Sequence, residues 1–534
     1  MKLKKMAAVG LAAGMAAQML TGCGQGSTTE TAVTTETAAE TTTAGDTGEK
    51  VLKVLTVTPH PEVDPSQVVI QQEIEQETGI KIEWTIVPQT AWSEKKGLTL
   101  AQTELPDIML GDAMFTDTDL LNMVEAGQVI AIDDLIAKAP NFQKILANQP
   151  GLEDALKNED GHIYGIPQYR GTGADRGTMS TNRVTYINQK WLDELGMEMP
   201  KTTEELKVVL RAFKDNDLNG NGIQDEIPLS TYVDNEYFDD WFGAFGLVPS
   251  ANENSYKNIS VKDGKVVYSA VEPEYKAAVE YFHELWDEGL VDPETFTQDN
   301  AMFKAETITV GMFSAWRGTA WRLSNEDTEY SILPALEGPD GNALYPEMYC
   351  GIVSRAGAVI TSSCKNPELA MEWLDNLISP ENGYQFWTKA KIGYNLADGG
   401  ERYKLIKQID TKDPEQIKQV LFGFTCVDYT TMNKKPDDPD PLNVDNEKAI
   451  SDKIYKPYYP KEHYPNTFLT LEEGKKIAEI QPQLQAYTDQ MLAQWIVSGG
   501  IEEQWDEYVK QLNSMGLEEY VQQFQSALDR YNAQ

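Results

Sequence analysis

The sequence predicts an α/β fold arranged as two large domains. Segments typical of strands alternate with helical segments over residues 51–112, in the order strand, helix, strand, helix, strand. This alternation is typical of a largely parallel sheet. The chain has 534 residues, whereas single domains cluster near roughly 100–200 residues. A hydrophobic content of 41% is that of a soluble globular protein.

The three strands are predicted from different patterns. Residues 51–57 form a short run of apolar and β-branched side chains, which predicts a buried strand. Residues 80–86 alternate between apolar and polar side chains, and residues 105–112 form a third strand with its turn. The first helical segment ends at Gly79. Ligands of such sheets bind beyond the carboxyl ends of the strands, where Asp112 would lie.

Capping residues mark the starts of helices farther along the chain. Thr202 and Glu205 form a capping-box pattern at the start of one helix. Asn366 before Pro367 predicts an N-cap followed by a first-turn proline. Apolar residues over 517–531 recur at spacings of three and four, which predicts a final helix with one face in a core.

The first 50 residues predict export and attachment to a membrane. Residues 1–23 combine lysines, a short apolar run and the residues LTGC at 20–23, which resemble a bacterial lipobox. The apolar run is shorter than the roughly 20 residues that span a bilayer. We expect cleavage before Cys23, acylation of its thiol, and a disordered Thr-rich tether over 24–50 on the outer face of the cell membrane. The alternative is an ordinary signal peptide with a chance cysteine.

The charge of the chain disfavours nucleic acid as a partner. The formal net charge is −39. A field of that sign repels nucleic acid and anionic lipid headgroups, while it favours solubility and the binding of cations. It also makes a strongly anionic ligand a poor match.

The cysteines exclude a disulfide framework. Beyond Cys23 the chain has Cys350, Cys364 and Cys426, an odd number whose spacing matches no zinc site. We expect buried free thiols, and one disulfide among the three stays open for an exported protein.

The sharpest local motif is a predicted calcium loop. Residues 217–226 read DLNGNGIQDE, with oxygen donors on alternate positions and glycines that allow a tight turn. The first half resembles an EF-hand loop, but this loop closes earlier than an EF-hand does. We expect a structural calcium ion, and the alternative is a solvated Asn-Gly turn. The predicted ligands are side-chain oxygens of Asp217, Asn219, Asn221, Asp225 and Glu226 and the carbonyl oxygen of Ile223.

A family resemblance is carried by segments spread over nearly the whole chain after the tether. The clearest are YGIP at 164–167, YINQKWLDELG at 186–196, PKTTEEL at 200–206, GMFSAW at 311–316 and WDEYVK at 505–510. In order and spacing they resemble the extracellular solute-binding proteins of carbohydrate ABC transporters. Within that family the chain is most similar to the large LipO-type lipoproteins and to the oligoalginate binders, which carry a calcium loop of the same pattern.

The resemblance implies a two-lobed periplasmic-binding-protein-like fold, with crossover strands joining the lobes and a ligand cleft between them. It places the first lobe at 51–181 plus 332–379 and the second, which carries the calcium loop, at 182–331 plus 380–534. Hinge closure would trap a sugar or oligosaccharide for delivery to the permease subunits of an ABC transporter. The protein would be a monomer without enzymatic activity, held at the membrane by its lipid anchor only.

The candidate ligand contacts follow from the chemistry of sugars. Sugars present C–H faces and rings of hydroxyls, so a site needs aromatic platforms beside carboxylate, amide and guanidinium groups. The chain has 11 Trp and 24 Tyr, several of them at predicted loop starts. For any one of these residues, packing in a core is at least as good an interpretation. The candidates are Asp112, Tyr169, Trp241, Trp316, Arg317 and Tyr349.

Other classes of function stay open from sequence alone. An exported glycosidase needs only two carboxylates across a cleft, but acidic residues are so abundant that no pair stands out. The four histidines are scattered and form no metal or nucleophile–base pattern. A calcium-dependent adhesin would predict repeated β modules, and we find no internal repeat. A further alternative, closer to the main prediction, is the same fold with a peptide or another non-sugar ligand. The identity of the sugar is left open.

Overall fold

Two sheets of different size organise the chain after residue 49. The computed structural model describes residues 50–58, 61–111, 114–148, 151–158, 160–170, 183–231, 236–249, 257–298, 309–316, 330–346, 352–379, 394–397, 402–405, 426–427, 450–451, 453–465 and 467–533. Residues 50–534 cluster as one compact unit. The predicted signal peptide, Cys23 and nearly all of the tether lie outside the described residues. No helix in the described part of the chain is both long enough and apolar enough to cross a bilayer.

The described elements include strands and helices along the whole of the folded part. The strands are β1 (Lys50–Thr58), β2 (Ile80–Pro88), β3 (Ile108–Gly111), β4 (Ile166–Arg170), β5 (Arg183–Asn188), β6 (Ile227–Ser230), β7 (Ile259–Lys262), β8 (Lys265–Tyr268), β9 (Val310–Trp316), β10 (Tyr330–Ile332), β11 (Ile352–Ile360), β12 (Tyr394–Ala397), β13 (Arg402–Leu405) and β14 (Cys426–Val427). The helices are α1 (Val69–Thr78), α2 (Gln89–Leu100), α3 (Asp117–Glu125), α4 (Asp133–Ile136), α5 (Pro140–Asn148), α6 (Leu152–Leu156), α7 (Gln189–Leu195), α8 (Thr203–Asp215), α9 (Pro273–Asp287), α10 (Pro367–Leu377), α11 (Leu471–Ser498), α12 (Ile501–Ser514) and α13 (Leu517–Asn532). A longer 3-10 helix covers Glu236–Phe245.

The first lobe is built on a six-stranded mixed sheet with the order β14–β4–β11–β3–β1–β2. β1 runs parallel to β2 and β3, while β11 runs antiparallel to β3 and β4. Its core contains the fully buried side chains of Val54, Ile108, Phe142 and Trp373. The predicted order strand, helix, strand, helix, strand is confirmed as β1–α1–β2–α2–β3.

The second lobe is built on a four-stranded sheet with the order β10–β5–β9–β6. β5 runs antiparallel to β9 and β10, and β6 runs parallel to β9. Helices α8, α9, α11 and α13 bury their apolar faces in one large cluster that includes Phe213, Phe282, Trp495 and Phe524. The chain therefore has the predicted α/β architecture with a core on each sheet.

The predicted helix caps are present, with one change of partner. The Thr202 hydroxyl accepts a hydrogen bond from the Glu205 N–H at 3.1 Å, but the Glu205 carboxylate accepts from the Lys201 N–H at 2.7 Å. Asn366 caps α10 as predicted. On α13 the predicted apolar stripe is buried apart from the half-buried Val521 and from Tyr531 at its end, which is 46% exposed.

The predicted lobe boundaries stay predictions. Leu333 and Tyr345 are buried in apolar clusters with second-lobe residues, and β10 pairs with β5. β14 pairs with β4 in the first sheet. These contacts indicate that the chain returns to the first lobe only after residue 346. They also indicate that residues 426–427 belong to the first lobe.

Two cysteines lie in the described residues, and Cys364 is a free thiol. Cys426 is buried and Cys364 is half-buried, and burial raises the pKa of the Cys364 thiol to about 11. Cys350 lies outside the described residues.

Candidate functional site

The carboxyl ends of β1, β3 and β4 lie along one edge of the first sheet. All three strands point the same way, because β1 is parallel to β3 and both β3 and β4 are antiparallel to β11. In α/β folds this is the edge where ligands bind. We call it the ligand edge of the first lobe.

Tyr169 lies near the end of β4 but points into the protein. Its side chain is 3% exposed and packs in the first-lobe core. In the sheet it lies opposite Ile352 and Cys426. Core packing therefore accounts for this aromatic residue in the structure, and its contact with a ligand stays a prediction.

Trp241 lies in the 3-10 helix of the second lobe and is 9% exposed. Its indole N–H donates a hydrogen bond to the Thr185 hydroxyl at 3.2 Å. The indole ring lies against Phe282, with the ring centroids 5.8 Å apart. Both contacts fix the orientation of the indole before any ligand arrives.

The Thr185 hydroxyl connects three segments of the second lobe. Besides the Trp241 N–H it contacts the Ser314 hydroxyl at 2.8 Å and the Tyr345 hydroxyl at 3.3 Å. Tyr345 stacks face to face on Tyr455 at 3.6 Å, and burial raises the pKa of Tyr345 well above its usual value. A cavity of about 10 Å³ lies beside Thr185, Trp241 and Tyr345, which is room for at most one water molecule. The region is therefore a rigid support, too tightly packed to hold a sugar.

A second polar cluster lies at the carboxyl end of β6. The Ser230 hydroxyl donates to the Asp292 carboxylate at 2.6 Å, and the Gln298 amide N–H group donates to the Thr231 carbonyl at 2.5 Å and to Ser230 at 3.1 Å. Asp292 is 1% exposed. No sequence pattern predicts this cluster, and the only signal in the sequence is the Ser-Thr pair that follows the apolar start of β6. Its polar groups lie at a strand end but are buried, since Ser230 and Thr231 are 0% and 1% exposed.

The predicted calcium loop is a closed turn between α8 and β6. The Asp217 carboxylate accepts hydrogen bonds from the N–H groups of Gly220 at 3.0 Å and Gly222 at 2.8 Å. Both glycines have positive φ, 72° and 80°, which is why the turn needs glycine there. The amide groups of Asn219 and Asn221 donate to the Asp225 carboxylate at 2.8 Å and 3.0 Å. The predicted oxygen ligands thus lie on one tight loop.

Glu226 is the best indication that this loop fits a cation. One carboxylate oxygen accepts from the N–H groups of Leu218 and Asn219 at 2.7 Å and 3.0 Å. The other oxygen is buried and has no hydrogen-bond partner within the described residues, and an unsatisfied buried carboxylate oxygen is costly. A hard cation would satisfy it together with the Asp217 and Asp225 carboxylates. In the described part of the chain, no group of three or more acidic, His or Cys side chains is arranged as a metal site.

Several predicted ligand residues lie, wholly or in part, outside the portion of the chain that the structure describes. Asp112, Arg317 and Tyr349 lie outside the described residues, and only the backbone of Trp316 is described, as the end of β9. Their roles stay predictions.

Two α/β lobes, each with a core on its own sheet, are the architecture of the two-lobed solute-binding proteins. Residues 60–384 match the family model described as bacterial extracellular solute-binding protein. The chain belongs to this family, which confirms the predicted fold class and the family resemblance.

Relatives at two levels of similarity support this membership. The chain is 34% identical over 503 residues to the fructooligosaccharide ABC transporter substrate-binding protein FusA of Streptococcus pneumoniae serotype 4 (strain ATCC BAA-334 / TIGR4), with 91% of each chain covered. It is 25% identical over 430 residues to lipoprotein LipO of Bacillus subtilis (strain 168), covering 76% of each. Because the family and FusA are binding proteins, the prediction that the chain is not an enzyme is confirmed.

Solved structures of FusA share the fold. FusA in complex with kestose superimposes with a TM-score of 0.78 at 32% identity, covering 91% of this chain and 100% of FusA. An EF-hand mutant of FusA in complex with fructo-nystose gives the same values.

Proposed function

We propose that this solute-binding protein captures short neutral fructooligosaccharides and delivers them to the permease of an ABC transporter. The observation that carries the proposal is the similarity to FusA over nine-tenths of both chains, with the same fold. The prediction of an oligosaccharide ligand, made from the residues and the family resemblance, agrees with it.

The charge of the chain favours a neutral cargo. The net charge of −39 raises the free energy of bringing a polyanion to the protein, and this penalty is largest at low ionic strength. A neutral fructan carries no such penalty. Uronic acid oligomers are therefore the poorer cargo.

Thermal unfolding with a panel of oligosaccharides tests the cargo. The panel contains kestose and fructo-nystose, maltotriose as a neutral trisaccharide of another sugar, and a digalacturonate as an anionic control. A ligand at a hundred times its dissociation constant adds about 2.7 kcal/mol to the free energy of unfolding. Stabilisation by the fructans alone supports the proposal, and stabilisation by maltotriose or digalacturonate alone contradicts it.

In this proposal a calcium ion occupies loop 217–226. Support comes from the Glu226 oxygen that has no hydrogen-bond partner within the described residues, from the position of Asp217 and Asp225 on the same loop, and from FusA, of which an EF-hand mutant has been solved. The ion would be held by oxygens of Asp217, Asn219, Asn221, Ile223, Asp225 and Glu226. It would supply positive charge that satisfies the carboxylates and would lock α8 to β6, which makes its role structural.

The proposal also includes the lipid anchor. Acylation of Cys23 with residues 24–50 as a tether would hold a monomeric receptor on the outer face of the cell membrane, near the permease. The lipobox-like residues at 20–23 and the similarity to lipoprotein LipO support the anchor. Mass spectrometry of the membrane-extracted protein tests it, since an unmodified Cys23 would contradict this part.

A further inference from the structure

The two lobes touch at a contact between Arg355 and Phe468. Arg355 lies on β11 of the first lobe, and its guanidinium carbon lies 4.5 Å from the centroid of the Phe468 ring. Phe468 precedes α11, whose residues Ile477, Leu484 and Trp495 belong to the second-lobe core. Arg355 is 4% exposed, so its charge is buried beside this contact.

Each partner is fixed by directional bonds within its own lobe. Arg355 pairs with the Asp117 carboxylate at the start of α3, and its Nε–H donates to the Ala155 carbonyl at 2.7 Å. On the other side, the Arg530 guanidinium donates to the Phe468 carbonyl at 2.8 Å and to the Glu473 carboxylate at 2.6 Å. The contact between Arg355 and Phe468 is a cation over a ring face, an attraction that requires no matched hydrogen-bond donor and acceptor.

A close approach of two helices lies next to this contact. A Cβ added at Gly474 on α11 would lie 2.5 Å from the Thr118 hydroxyl oxygen on α3 but 3.5 Å or more from the rest of that side chain. Lys475 and Glu125 form an exposed ion pair between the same helices, with 3.2 Å between nitrogen and oxygen. Since α3 follows β3, the start of α3 lies at the ligand edge of the first lobe.

We propose that the second lobe turns on a pivot formed by four residues, Arg355, Phe468, Thr118 and Gly474. These positioning residues would set the ligand affinity without touching the ligand. Both sides are held by hydrogen bonds and ion pairs, the buried contact between them is a cation over a ring face, and Gly474 lets the backbone of α11 come close enough for it. If the pivot were displaced, the ligand-contacting residues of the two lobes would no longer face one another when the lobes close. The link to affinity rests on the proposed function, whereas the pivot itself does not.

Gly474→Ala tests the pivot, with two substitutions at Thr118 as matched partners. The added methyl group clashes with the Thr118 oxygen, and alanine is the better helix former, so α11 itself is not weakened. Thr118→Ala removes the hydroxyl oxygen with which the added methyl group clashes. Thr118→Val puts a methyl group where that oxygen was, so the clash remains. Kestose affinity is measured by calorimetry and the radius of gyration of the ligand-free protein by X-ray scattering.

We expect Gly474→Ala to weaken kestose binding about tenfold, within the usual range of coupling between distant sites, and to change the ligand-free radius of gyration. Addition of Thr118→Ala should restore both quantities, and addition of Thr118→Val should restore neither. If all variants match the wild type in affinity and radius of gyration, the pivot is refuted. If the wild type does not bind kestose, the proposed cargo fails, and the ligand-free scattering still decides the pivot. Should Gly474→Ala not fold, Phe468→Leu is measured in the same way, and wild-type values would again refute the pivot.

Discussion

The indole nitrogen of Trp241 lies 3.2 Å from the Thr185 hydroxyl oxygen, to which it donates a hydrogen bond. This bond joins the 3-10 helix to β5, and the same hydroxyl also contacts Ser314 and Tyr345. The orientation of one candidate ligand contact therefore depends on a buried threonine in the sheet behind it.

Replacement of Thr185 by valine should separate this role from simple packing. Valine has the same shape but leaves the Trp241 N–H without its acceptor, so we expect a loss of about 1–2 kcal/mol in the free energy of unfolding. Thr185→Ser keeps the hydroxyl and should lose less. Denaturant unfolding of both variants gives the comparison. Equal stabilities for the valine and serine variants would show that the hydroxyl does not matter.

Calcium should stabilise the protein through the loop at 217–226. At a hundred times its dissociation constant, calcium is expected to add about 2.7 kcal/mol to the free energy of unfolding. Asp217→Ala should abolish this gain, because the Asp217 carboxylate also holds Gly220 and Gly222 in the turn. Asp134→Ala, in the first lobe, is the matched control and should keep the gain. Calcium stabilisation that persists in Asp217→Ala would place the ion elsewhere.

The ion pair between Glu473 and Arg530 should make stability depend on acid pH. Burial alone would raise the pKa of Glu473, but the hydrogen bonds from Arg530 and the Thr470 N–H outweigh it and hold the pKa below its usual 4.5. The lowered pKa stabilises the fold fully above about pH 4.5, and this stabilisation is lost as the pH falls through the folded pKa. Glu473→Gln should therefore cost about 1–2 kcal/mol at pH 7 and progressively less below pH 4.5.

Unfolding free energies at several pH values test this sign. Glu472→Gln is the control, because Glu472 is exposed on the same turn of α11. A cost of Glu473→Gln that is the same at pH 7 and pH 3.5 would contradict the account.

Local chemistry explains why the fold was predictable. The run at 51–57 and the alternation at 80–86 became β1 and β2, and Asn366 caps α10, because each of these signals depends on neighbours in sequence. The tight turn at 217–226 was predictable for the same reason, since the residues that form it lie within ten positions of one another.

The surroundings of the ligand candidates were not predictable in this way. Tyr169 lies near the end of β4 and Trp241 lies in the 3-10 helix, yet both are nearly buried because side chains from distant segments cover them. Ser230 and Asp292 meet across 62 positions, and Arg355 and Phe468 come from different lobes. Single-sequence patterns carry no information on such pairs, which depend on how the elements pack.

Calorimetric titration of the calcium-loaded protein with kestose is the decisive experiment for the proposed function. We expect saturable binding at one site per chain, with kestose recovered unchanged after prolonged incubation. Absence of binding heat together with an unchanged unfolding midpoint, or release of free fructose, would contradict a role as a fructooligosaccharide receptor.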